Sequence, residues 1–173
     1  MSILEVLFKI YKAILLTISF VFAFTLLTGC SKYEGVRKNL GFAFPEYFKC
    51  DVVQVIGGDS FYCQFQRDRD IEKVKLAGIE TPELIAERAR GFTQSLLTRG
   101  TPVKLEQDVE GRDEYGRILA YVYVPGGKML NALLLQEGYA EAMAVSPNVK
   151  YKDMFLKLES DAKEQGKGIW ERK

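Results

Sequence analysis

Five short β-prone runs, one helical stretch after the third and two more after the fifth predict an α+β domain. Its architecture is a five-stranded β-barrel of the OB type with about three helices. Three observations carry this. The β-prone runs are short and bounded by glycine-bearing or polar breaks. The helical patterns fall between strands three and four and beyond strand five rather than alternating with every strand. The chain has 173 residues, 47% of them hydrophobic and 27% charged, enough for one packed core and too few for two large ones.

Each element follows in order. Asp51 to Ile56 and Ser60 to Gln66 are the first two strands, and Gly57-Gly58-Asp59 between them reads as a hairpin break. A polar turn, Arg67 to Asp70, leads into the third strand, Glu72 to Ala77. After Gly78-Ile79-Glu80-Thr81-Pro82-Glu83 comes a helical pattern from Leu84 to Leu97, with Thr81 as cap, Pro82 at its first position and Glu83 in its first turn. Pro102 to Gln107 and Arg117 to Val124 are strands four and five, on either side of a polar loop. Gly126-Gly127 turns the chain into a short helix, Met129 to Glu137. A last amphipathic helix spans about Tyr151 to Gln165, with Met154, Leu156, Leu158 and Ala162 as its expected buried side. Gly166 and Gly168 end it, and Trp170 is expected to pack the tail.

The first thirty residues read as an address. Lys9 and Lys12 precede an uncharged apolar run from Ala13 to Leu27, the pattern of a signal peptide. The run closes on Leu27-Thr28-Gly29-Cys30, which resembles the lipobox of bacterial lipoproteins, in which the chain is cut before the cysteine and the thiol is acylated. An uncleaved membrane anchor is the alternative, since the run is slightly short of the ~20 residues a spanning helix needs. The expected organisation is therefore a leader at 1–29, the lipidated Cys30 with a spacer at 30–48, and a domain at 49–171. In either case the domain is expected to be tethered to a membrane, outside the cytoplasm of a bacterium.

Composition excludes several chemistries. The chain has no histidine, which removes histidine triads, Cys-His pairs and histidine-ligated zinc. Three cysteines, Cys30, Cys50 and Cys63, are too few for a four-thiolate metal site. Any catalysis must rest on carboxylates, Lys, Arg, Tyr, hydroxyls, thiols or a metal held by oxygen. The formal charge is +1; without the leader, which carries Glu5, Lys9 and Lys12, 22 basic residues face 22 acidic ones. A polyanionic partner would be held by a local patch, around Lys75, Arg117 and Arg112, with weak and salt-sensitive affinity.

Three blocks then stand out: Gly58-Asp59-Ser60, the run Val74-Lys75-Leu76-Ala77-Gly78-Ile79-Glu80-Thr81-Pro82-Glu83, and Asp113-Glu114-Tyr115-Gly116-Arg117. Together with Asn131-Ala132 to Gly138 and Gly168-Ile169-Trp170 they resemble, in order and spacing, the signature blocks of the staphylococcal nuclease (thermonuclease) family over roughly residues 49 to 171. The resemblance implies that family's fold and a nuclease that hydrolyses phosphodiester bonds of DNA or RNA with Ca²⁺. It implies Asp59 and Glu80 as metal ligands with the backbone carbonyl of Thr81, all oxygen donors as a hard cation requires. Glu83 would be the general base, Lys75 and Arg117 would stabilise the charge on the equatorial oxygens, and Tyr115 would stack beside the bound nucleotide. Lys75 stands where the family has Arg, and Glu80 where it usually has Asp. Lysine keeps the charge without the planar fork that grips two phosphate oxygens. The alternative is therefore a catalytically weakened module of this family that binds nucleic acid or protein.

Read singly, each of these residues has a plainer explanation. Asp59 favours a turn, Glu80 and Glu83 suit a helix N-terminus, and Lys75 and Arg117 suit a surface strand. Their joint order argues for a shared site. Cys50 and Cys63 fall in the two arms of the hairpin with the same face parity, in a compartment that permits disulfides. A bridge is expected there, two buried core thiols being the alternative.

Overall fold

The computed structural model describes residues 47–67 and 69–171. The leader, Cys30 and the spacer as far as residue 46 lie outside the described residues. Among those described, no helix is long and apolar enough to cross a membrane.

Five strands close into a barrel in the order β1 (Tyr47–Val55), β2 (Ser60–Phe65), β3 (Ile71–Leu76), β6 (Ile118–Tyr123), β5 (Pro102–Glu106), with β5 returning to β1. β3 and β6 run parallel and every other barrel pair is antiparallel. This is the α+β, OB-type barrel expected from the sequence, with three α-helices: α1 (Ala86–Leu96), α2 (Leu130–Gln136) and α3 (Lys152–Glu164). A separate two-stranded ribbon pairs β4 (Ile79–Glu80) with β7 (Glu141–Ala142).

Strand alternation fills the barrel. Cys50, Val52, Phe61, Cys63, Val74, Leu76, Val103, Leu105, Ala120 and Val122 are buried and belong to one core cluster. A register shift between Val52 and Gln54 bends β1 so that Val55 still reaches the core. Cys50 and Cys63 are bonded as a disulfide, with Cα atoms 5.8 Å apart. β1 begins at Tyr47, two residues before the domain boundary read from the sequence.

Two details of the sequence reading are corrected. Thr81 does not cap a helix: Pro82 is extended, with ψ 143°, and a 3₁₀ turn, Glu83–Ile85, precedes α1. The Thr81 hydroxyl is buried with no hydrogen-bond partner. On α3 the buried positions are Phe155 and Ala162, while Met154 and Leu156 are exposed. Phe155 is drawn inward by Tyr121 and Tyr151, each with ring centroids 6.0 Å away. It also presses on Gly78, whose φ of +75° and contact with the Phe155 ring, 2.8 Å from any added Cβ, leave room for glycine alone.

Candidate cation and phosphate site

The site is assembled at one end of β2 and β3. Asp59 precedes β2, and its carbonyl accepts from the Leu76 amide at 2.9 Å, locking the turn against the end of β3. Ser60 and Lys75 are register partners across the pair. Val74 and Leu76 point into the barrel, so Lys75 between them faces the opposite way, toward Asp59. The turn itself is pressed from behind by α1: Thr93 Oγ1 donates to the Gly58 carbonyl at 2.6 Å, and a Cβ on Gly58 would come within 2.6 Å of Ala89 Cβ and 2.7 Å of Thr81 Oγ1. Only glycine admits this approach.

Four of the residues expected in the site come together here. Lys75 Nζ donates to Asp59 Oδ2 at 2.6 Å and to Glu80 Oε2 at 2.8 Å, and the Thr81 amide donates to the same Asp59 oxygen at 3.0 Å. Asp59 and Lys75 are buried, whereas the Glu80 side chain is 51% exposed. Asn131 sets the path from β3 to β4. Its Nδ2 donates to the Ala77 carbonyl at 2.9 Å and its Oδ1 accepts from the Val122 amide at 2.9 Å.

Glu83, at the head of the 3₁₀ turn, is exposed, and among the described residues its carboxylate has no hydrogen bond or ion pair. Arg117 stands one residue before β6, whose Ile118 pairs with Val74 of β3. Its contacts are with its own loop rather than with the Asp59 cluster. Arg117 Nε donates to Asp113 Oδ2 at 2.5 Å, and its guanidinium lies 5.2 Å from the Tyr115 ring centroid. Tyr115 is 75% exposed, so its ring is open to solvent apart from the Arg117 guanidinium. Asp113 organises the loop by accepting also from the Tyr115 and Arg117 amides at 3.0 and 2.9 Å. Burial alone raises the Asp113 carboxyl, but hydrogen bonds and charge from Arg117 outweigh it and hold the group below its ordinary value.

Asn148 braces the same loop from outside, exchanging 2.8 Å bonds with the amide and carbonyl of Glu110. Thr93, Asn148 and Asp113 are positioning residues that sequence reasoning did not single out. Only Asp113 carried a signal, as the first residue of its block. Arg112, expected in the basic patch, is instead committed to Glu72 through two bonds of 3.0 and 2.7 Å, and to the Gly116 carbonyl.

The donor set fits a hard cation. Two carboxylate oxygens, one from the turn before β2 and one from β4, converge on one positively charged atom, with the Thr81 amide beside them and no nitrogen or sulfur ligand among the described residues. Fold and site together define a barrel of the OB class with two carboxylates bridged by a lysine ammonium at its rim and an arginine-bearing loop leading into the neighbouring strand.

The chain belongs to the staphylococcal nuclease homologue family, which residues 73–172 match. It is similar to the thermonuclease of Staphylococcus intermedius, 37% identical over 130 residues that cover 70% of this chain and 75% of the relative. It is 34% identical to the thermonuclease of Staphylococcus hyicus over 79% of this chain and 84% of that one. The SPbeta prophage-derived endonuclease YokF of Bacillus subtilis is 35% identical over 69% of this chain and 43% of its own length.

Proposed function

We propose that this protein is an exported, membrane-tethered, Ca²⁺-dependent nuclease that hydrolyses phosphodiester bonds of DNA or RNA. The observation that carries the reading is the convergence of Asp59 Oδ2 and Glu80 Oε2 on a single cation, with the exposed, unengaged carboxylate of Glu83 three residues further along the chain. Membership of a nuclease family and likeness to thermonucleases support the same reaction class. The tether rests on the leader and on Cys30, whose thiol would carry the lipid.

Asp59, Glu80 and the Thr81 carbonyl would hold the metal, which when bound would polarise a phosphate oxygen and lower the charge that repels the nucleophile. Glu83 takes the proton of an attacking water, for which its exposure and lack of a partner suit it. The water oxygen bonds to phosphorus while the bond to the 5′ oxygen breaks, and the leaving oxygen takes a proton from solvent water, leaving a 3′-phosphate and a 5′-hydroxyl. Arg117, oriented by Asp113, meets the charge that grows on the equatorial oxygens, and Lys75 joins it once released from its carboxylates. Tyr115 stacks on an unpaired base, which is sequence-tolerant because every base has a π-face.

A second reading, a recognition module without turnover, is favoured by the engagement of the Lys75 ammonium with Asp59 and Glu80. One experiment separates the two. The full chain, in detergent, is incubated with single-stranded DNA and RNA, with calcium or chelator, beside Glu83→Gln. Calcium-dependent cleavage that falls by about 10²- to 10⁴-fold in the variant supports the nuclease. Binding without cleavage under any of these conditions supports the module.

A further inference from the structure

The site carries a cation of its own. Lys75 Nζ sits 2.6 Å from Asp59 Oδ2 and 2.8 Å from Glu80 Oε2, with the lysine side chain only 11% exposed. We infer that Lys75 is an internal counter-cation for the carboxylate pair, that calcium must displace it, and that the displaced ammonium then becomes the phosphate ligand. The inference rests on the calcium-nuclease reading and adds that metal occupancy and phosphate engagement are coupled through one side chain.

Three features support it. First, the Asp59 side chain is 9% exposed, and a buried carboxylate beside a second one is tolerated only with a partner charge. Lys75 supplies that charge without any metal. Second, the ammonium and a metal would compete for the same two oxygen atoms. A divalent ion there would repel the ammonium as well as replace it. Third, the arrangement allows an exit. Lysine is a point charge on a flexible four-carbon stem, and Glu80, the outer partner, is half open to water. Asp59 keeps its place when the ammonium leaves, because the Thr81 amide still donates to Oδ2 and the Asp59 carbonyl still accepts from Leu76. The carboxylates are thus preorganised by the chain itself, and calcium affinity is set below what the oxygen donors alone would give.

The test is calcium binding, read by titration calorimetry and by thermal shift on the full chain in detergent, with calcium chloride as the probe. Lys75→Met, which keeps the length and removes the charge, is expected to bind calcium roughly 5- to 150-fold more tightly, the range typical of energetic coupling between two ligands. Its melting temperature should also rise more on adding calcium. Lys73→Met, which removes a neighbouring charge from the same strand, should leave the affinity unchanged. Equal or weaker binding by Lys75→Met overturns the inference and leaves the calcium reading standing. An equal gain in Lys73→Met overturns it as well, since any lost cation would then serve. Binding by neither wild type nor Lys75→Met overturns both. If Lys75→Met does not fold, reductive methylation of wild-type Lys75 decides. Labelling that speeds up with calcium supports displacement, and labelling that never rises across the titration overturns it.

Discussion

Glu106 lies far from the cation site in function, yet it offers the sharpest test of how the barrel holds its loops. Its side chain is 1% exposed on β5, and it accepts from Tyr123 Oη at 2.7 Å and Tyr151 Oη at 3.0 Å, with Lys150 Nζ completing the shell. Glu106→Ala removes the acceptor from all three donors. Lys150 is 42% exposed and recovers water at little cost, and the two phenols, 3.1 Å apart, can pair with each other. One buried hydroxyl is left unpaired, at about 1–3 kcal/mol, and the lost side chain adds a cavity cost. The release of the carboxylate's own desolvation offsets part of this. The expected loss is about 3 kcal/mol, seen as a drop in melting temperature of roughly 10 °C for a domain of this size.

Glu106→Gln, which keeps the volume and the phenol contacts, should lose about half as much. The effect is also pH-dependent. Burial raises the Glu106 carboxyl, but hydrogen bonds from Lys150, Tyr123 and Tyr151 outweigh it, so folding holds it below the ordinary glutamate value. A group depressed by folding stabilises above its unfolded value and loses that contribution as pH falls through the folded one. The gap between wild type and Glu106→Ala should therefore be full near neutrality and shrink below about pH 4.5. Chemical denaturation of both proteins across that range measures it. A gap under 1 kcal/mol, or one that does not change with pH, would refute the reasoning.

Other predictions concern the site and the barrel. Gly58→Ala forces a Cβ against Ala89 and Thr81, so it should cost about 1–3 kcal/mol and also reduce cleavage by moving Asp59; unchanged stability and rate would contradict the close approach. Asp113→Ala frees Arg117 from its anchor and should lower kcat/KM by about 10²-fold with a smaller loss of stability, measured by steady-state cleavage beside thermal denaturation. Reducing the Cys50–Cys63 bond, which joins cysteines 13 positions apart, should lower stability by on the order of 3 kcal/mol, read as the shift in denaturation midpoint with reductant. Burial and acidic partners raise the Tyr121 and Tyr123 phenols, so stability is full below pH 10 and should fall as pH rises beyond it, when the unfolded phenols ionise first.

Much of this was legible in the sequence, and what was not has physical reasons. The five barrel strands are short β-prone runs set off by polar or glycine-bearing breaks, and the Gly57-Gly58 break marks the hairpin, so their order along the chain and their type could be read directly. β4 and β7, two residues each, are too short to show any period, and they exist because tertiary packing brings Ile79 beside Ala142. The buried face of α3 was misjudged because counting apolar residues gives Met154 and Leu156 the same weight as Phe155. Only the position of Tyr121, Tyr151 and Gly78 decides which turns inward. Thr81 has the residue type of a cap, but Pro82 holds the chain extended and the hydroxyl is aimed at the space behind Gly58. Asp59, Lys75 and Glu80 were each identified, but their pairing could not be. It depends on β2 and β3 lying in register and on β4 folding back beside them, contacts that sequence spacing does not encode.

Charge shows why such a site would depend on a metal. Residues 30–173 carry 22 basic and 22 acidic side chains, so no overall field draws in a polyanion. Local cations are largely spent: Arg88 on Glu171, Arg112 on Glu72, Lys150 on Glu106, and Lys75 on Asp59 and Glu80. The proposed site counts four carboxylates, those of Asp59, Glu80, Glu83 and Asp113, against two cations, Lys75 and Arg117. That balance is net negative and would repel phosphate. A divalent ion held by Asp59 and Glu80 would bring it to neutrality, and the ammonium it displaced would become a charge for the substrate. The same lysine that stabilises the metal-free fold would then withhold phosphate affinity until calcium arrives, so weak substrate binding without metal follows from the arrangement of charges, even in a variant that cannot cleave.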